Sequence, residues 1–98
     1  KMYEINSQIA EQGFNKFQLQ KLVKATHYEV LNISLEKGEV FPEHTSPTHA
    51  HLIVLQGEIV FHINGENFRL KEQQYFNFPK EQKHWVEAVV DSKFLVVR

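Results

Sequence analysis

The dipeptide Asn64-Gly65, set between two runs of alternating apolar residues, constrains the fold of this chain more than any other feature of its sequence. Asn-Gly accepts the positive φ values of a type I′ turn, whose twist matches that of the strands it joins. A two-residue loop also sets the register. Ile63 should face Glu66, His62 face Asn67, Phe61 face Phe68, Val60 face Arg69 and Ile59 face Leu70. Ile59, Phe61, Phe68 and Leu70 then share one apolar face, opposite Glu58, His62, Asn67 and Arg69. Turn chemistry and side-chain alternation therefore select the same hairpin independently.

Similar runs fill the chain from Phe17 onward. Phe17–Lys24 and Tyr28–Leu35 both alternate; in the second, Leu31, Ile33 and Leu35 oppose Asn32 and Ser34. Tyr75–Phe78 is ended by Pro79. His84–Val90 places His84, Val86, Ala88 and Val90 on one face, with Trp85, Glu87 and Val89 on the other, and Phe94–Val97 follows. Ahead of these, Tyr3–Gln12 is expected to form a short helix, with Ser7 as cap, Ile5 and Ile9 on one face and Gly13 as terminator. So many short strands in 98 residues predict one all-β domain over residues 1–98. Residues 1–16 form an N-terminal extension, and 17–98 form two packed antiparallel sheets or a small barrel.

Composition narrows the function classes. A net charge of −1 lacks the basic face that binding to phosphate backbones requires, so no nucleic-acid partner is expected. The absence of cysteine removes disulfides, thiol nucleophiles and thiolate metal sites together. No apolar run is long enough to span a bilayer and no signal-peptide pattern opens the chain, so a cytoplasmic protein with no membrane partner is expected.

The stretch Gly38–Gly57 carries three of the six histidines. Its first half, with Pro42, Glu43, Thr45, Ser46, Pro47 and Thr48, reads as loop. Leu52–Leu55 is a continuous apolar run that suits a strand buried on both faces. His44 lies in the loop half. His49 and His51 are one residue apart and share a face of an extended segment, the arrangement by which two imidazoles of one strand bind one ion; an exposed pair with no ligand is the other reading. His84 starts its strand at the mouth of an apolar interior, as a metal ligand or base, or as a rim histidine bonded to backbone. His62 and His27 face solvent. No Ser/His/Asp grouping, phosphate-cradling glycine loop or paired carboxylates stand out.

These features together resemble a small single-domain cupin over about residues 31–97. The family's first motif is G-x5-H-x-H-x3-4-E-x6-G. Gly38, His44 and Gly57 match it in spacing, while Ser46 stands at the second histidine and Ala50 at the glutamate. The second motif is G-x5-P-x-G-x2-H-x3-N. Pro79 and His84 match, whereas Gln73 and Glu81 replace the glycines and Ala88 the asparagine. The resemblance implies an antiparallel jelly-roll barrel and a homodimer packed sheet to sheet. With Ala50 inward, strict alternation sends His49 and His51 outward, and puts His51, Ile53 and Leu55 on a face suited to a partner.

Two functions follow from the resemblance. In the first, a pocket near His44 and His84, walled by Phe61, Phe76, Phe78 and Val86, binds a small polar or anionic molecule, with no catalysis evident. In the alternative, His44, His84 and one of His49 or His51 hold a divalent metal (Zn, Ni, Fe or Mn) in an oxygenase- or isomerase-type enzyme. That alternative needs a bulge in Thr45–His49 to turn one of the latter rings inward.

Overall fold

Nine strands among the described residues pair into two antiparallel sheets that stack face to face. The computed structural model describes residues 2–98. In chain order the elements are α1 (Gln8–Glu11), β1 (Phe17–Lys24), β2 (Glu29–Leu35), β3 (Val40–His44), β4 (Ala50–Gln56), β5 (Glu58–Ile63), β6 (Glu66–Lys71), β7 (Tyr75–Phe78), β8 (His84–Ala88) and β9 (Ser92–Val97). One sheet has the order β1-β2-β9-β4-β7 and the other β3-β8-β5-β6. Only β1–β2 and β5–β6 are sequential neighbours within a sheet. Every other connection carries the chain across to the opposite sheet, so consecutive strands face each other over the core instead of pairing. Pairing ends at β1, β7, β3 and β6, and the expected barrel is thus two open sheets without a closed hydrogen-bonded circuit.

The inward faces supply one core. Ile33, Leu52, Ile59, Phe61 and Phe94 are buried at its centre. The β5–β6 hairpin has the register that its turn demands, from Ile63↔Glu66 to Ile59↔Leu70. Asn64 and Gly65 take φ values of 53° and 72°, as a type I′ turn requires. Phe68 is only half-buried, because β6 is an edge.

Four local expectations are corrected. The helix is four residues, not ten: Gln12 is already extended, so the helix ends before Gly13, and Ile5 is exposed outside it. The Ser7 side chain makes no cap bond; instead Asn6 Oδ1 accepts the Gln8 N–H at 2.8 Å. Tertiary bonds hold this segment on the outer face of the first sheet. Lys93 Nζ donates to the Ile9 and Ala10 carbonyls, and Gln12 Nε2 donates to Asn32 O and Ser34 Oγ. Second, Pro42 and Glu43 lie in a strand. β3 is an edge that pairs only with β8, where a residue without an N–H is tolerated, and a shift of register between Phe41 and His44 absorbs it. Third, β8 stops at Ala88, since Ser92 Oγ bonds Val90 O at 2.7 Å and folds the chain, leaving Val90 exposed. Fourth, Leu52–Leu55 is buried on one face only: Leu52 and Val54 point into the core while Ile53 remains 37 % exposed.

Candidate functional site

The β3–β8 seam brings His44 and His84 together. They are direct cross-strand partners, and the irregularity after Phe41 lets Phe41 and His44 share the inner side of β3. The His44 and His84 rings meet edge to face with centroids 4.2 Å apart. His44 stacks on Phe41 at 4.0 Å, and His84 packs on Phe61 and Phe78 at 5.2 and 4.5 Å. His84 is buried and His44 half-buried.

Each ring commits one nitrogen to backbone. His44 Nδ1 lies 2.7 Å from Pro42 O and His84 Nδ1 lies 2.9 Å from Gln82 O. A carbonyl only accepts, so both Nδ1 atoms donate, and in the neutral rings Nε2 keeps its lone pair. Burial pushes His84 down to about 4 and lowers His44 as well, against the raising effect of their backbone bonds. Both imidazoles are therefore neutral acceptors near pH 7.

The two histidines line a cavity of about 10 Å³, room for roughly one water-sized group. Phe41, Phe61, Phe78 and Arg98 also line it. Of the expected walls, Phe61, Phe78 and Val86 are present; Phe76 is displaced, packing on Phe61 at 4.9 Å and Phe68 at 5.0 Å. Phe41 and Arg98 are walls beyond the expected set. Arg98 continues the inward alternation of Phe94 and Val96, a signal that the sequence carries. Its Nε donates to Glu29 Oε2 at 2.7 Å, and this bond holds the Glu29 carboxyl below the usual carboxylate range. Arg98 also borders an open groove of about 260 Å³, which includes Lys24, Thr26, Tyr28 and Thr48.

The four candidate ligand histidines, His44, His84, His49 and His51, form two pairs, not one cluster. Alternation holds along β4, with Ala50, Leu52 and Val54 buried and His51 exposed beside His49. His49 Nε2 meets Asn77 Oδ1 at 3.0 Å, and His51 Nδ1 meets Tyr75 Oη at 2.5 Å. His62 stacks on Trp85 at 3.6 Å and bonds Glu87 Oε1 at 3.0 Å, away from the core, and His27 is exposed.

At the remaining motif positions, Ser46 Oγ is engaged with Thr48 O at 2.6 Å and Ala50 offers only a methyl group. Among the described residues no three His, Asp or Glu side chains converge as a metal centre would need. Two imidazoles do not fit the three protein ligands of an open catalytic centre. The second motif keeps its backbone while losing its glycines: Gln73 and Glu81 hold φ values of 69° and 63°. Their N–H groups donate to Val54 O and Ser46 O, both at 2.8 Å.

The model of the cupin domain family matches residues 32–98. An uncharacterised protein of Methanocaldococcus jannaschii is 33 % identical over 83 residues, covering 82 % of this chain and 72 % of that protein. Its crystal structure, described as an RmlC-like cupin with a double-stranded β-helix fold, superposes with a TM-score of 0.82 at 27 % identity, over 100 % of this chain and 88 % of that one. A Streptococcus pyogenes protein of unknown function has a TM-score of 0.84 at 24 % identity, over 99 % of this chain and 87 % of that one. No helix among the described residues is long and apolar enough to cross a membrane.

Proposed function

This chain belongs to the cupin family, a fold that hosts many unrelated chemistries, and from its own residues we propose that the His44–His84 cavity receives the head group of a small polar, anionic molecule without a metal ion. One observation carries this reading: two neutral imidazoles, each with Nδ1 committed to a backbone carbonyl, stand beside a guanidinium in an apolar cavity. Nε2 lone pairs accept hydrogen bonds from hydroxyl or amide groups, and Arg98, whose Nε is paired with Glu29 Oε2, offers its terminal N–H groups to a carboxylate. A small hydroxy acid offers both, with its hydroxyl as the one water-sized group the cavity has room for and its carboxylate at Arg98, which borders both the cavity and the groove. The cavity is small, so the body of such a ligand would lie in the adjoining groove with Lys24, Thr26 and Thr48.

A thermal-shift panel tests it. Small hydroxy acids such as glycolate and lactate should raise the melting temperature more than acetate or propionate, with or without EDTA, because ligand that binds only the folded state stabilises it. The shift should vanish in Arg98→Met and His84→Gln. Stabilisation that appears only with added metal, and is lost in His44→Ala, would instead support the metal-dependent enzyme. The homodimer stands as a separate proposal, supported by the exposure of Ile53 on the outer face of β4; sedimentation velocity at micromolar concentration checks it.

A further inference from the structure

We propose that His49 and His51 form a second site, on the outer face of the five-stranded sheet, that binds a divalent transition-metal ion independently of the His44–His84 cavity. The backbone aligns the pair. His51 is in β4 and His49 immediately precedes it, so the two side chains leave the same side of the sheet while Ala50 between them is buried. Their ring centroids are 5.3 Å apart, with the planes inclined at 65°. Two imidazoles bound to one ion at about 2.0–2.1 Å in tetrahedral geometry have ring centres about 5 Å apart. The observed spacing matches that of two ligands of one ion.

The neighbouring strand supplies what orients such ligands. His49 Nε2 faces the Asn77 carbonyl oxygen, so it donates and leaves Nδ1 with a lone pair. His51 Nδ1 is held by Tyr75 Oη, and when it donates there its Nε2 carries the lone pair. His51 is the cross-strand partner of Asn77, and Tyr75 pairs with Ile53, so both orienting groups come from consecutive outward positions of β7. A second hydrogen bond on the far nitrogen is the usual support of a metal-bound histidine, and losing it typically weakens binding by about 10–100-fold. The remaining coordination positions fall to water or to a second copy of the chain. Nitrogen ligands with no thiolate favour Cu²⁺, then Ni²⁺ and Zn²⁺.

The test uses the full chain without an affinity tag, titrated calorimetrically with Cu²⁺, Ni²⁺ or Zn²⁺ in a non-chelating buffer. The expected result is one ion per chain, or one per two chains, with micromolar affinity and in the order Cu²⁺ above Ni²⁺ and Zn²⁺. His49→Ala and His51→Ala should each weaken binding by about tenfold or more, and Tyr75→Phe by several-fold. His44→Ala and His84→Gln should leave it unchanged. Thermal melts of the metal-free variants show whether each remains folded, and Ni²⁺-induced loss of individual amide signals in NMR spectra of the unmutated chain locates the ion without any substitution. Binding weaker than millimolar, or binding that follows His44 and His84 instead of His49 and His51, overturns the proposal. So does signal loss that spares residues 49–51 and 75–77.

Discussion

His44 and His84 face each other directly across β3 and β8, and each donates its Nδ1 proton to the carbonyl of the residue two places before it. The relationship sets a pH dependence. His84 takes up a proton at about 4 in the folded chain against 6.5 ordinarily, chiefly because it is buried, and His44 is shifted the same way. Between those two values the unfolded chain binds more protons than the folded one, so stability is full above about pH 6.5 and falls as the pH drops toward 4. His84 alone should account for a loss of about 2–4 kcal/mol over that window. Urea denaturation at several pH values checks it, and in His84→Gln the slope should flatten.

Gln73 and Glu81 occupy left-handed backbone at the two positions where the cupin motif has glycine. A side chain there costs roughly 1–2 kcal/mol, partly offset by the greater freedom of glycine in the unfolded chain. Gln73→Gly and Glu81→Gly should each stabilise the protein by about 0.5–1 kcal/mol, whereas Glu81→Ala, which keeps a Cβ, should not. Chemical denaturation of the three variants decides the matter.

Gly57 combines a φ of 84° with close approach to the β8–β9 turn. An added Cβ would lie 2.4 Å from Ser92 Oγ and 2.5 Å from Asp91 O. Ser92 Oγ accepts the Glu58 N–H at 3.0 Å, so it is held in place by the strand that follows the glycine. Gly57→Ala is expected to cost at least about 2 kcal/mol, measured as a lowered denaturation midpoint.

Lys93, buried under the N-terminal segment, ties that segment to the sheet through Ile9 O at 2.6 Å and Ala10 O at 3.4 Å. Lys93→Met removes both bonds while keeping the apolar stem. It should destabilise the chain by about 1–3 kcal/mol and open new cleavage sites within residues 7–14 in limited proteolysis. Protection equal to that of the parent chain would remove the tether from the account.

The parts of this structure legible in sequence are those decided locally. At Asn64-Gly65 the turn and the flanking alternation act on the same few residues, so strand identity, register and buried face could all be read. The inward position of Ala50 was implied by the cupin motif, at whose glutamate position it stands, and alternation from there put His51 outward. His44 was different. Its place opposite His84 depends on the irregularity after Phe41, which no periodicity announces, and it was found through its position in the cupin motif. The Pro42 strand was hidden because proline marks loops unless an edge is available. The N-terminal helix was overextended because Lys93 and Gln12, not helix propensity, hold that segment. Arg98 could have been read from Phe94 and Val96, whose alternation it extends.

The most direct test of the account is a side-chain ¹⁵N NMR titration of metal-stripped protein at pH 7 with glycolate, following the ring nitrogens of His44 and His84. Both rings should begin as neutral tautomers with the proton on Nδ1. Glycolate should then shift the two Nε2 signals and the Arg98 Nε signal together, with no response in Arg98→Met. A protonated ring at the outset, or Nε2 signals that move only when a metal ion is added, would contradict the proposal of a metal-free anion pocket.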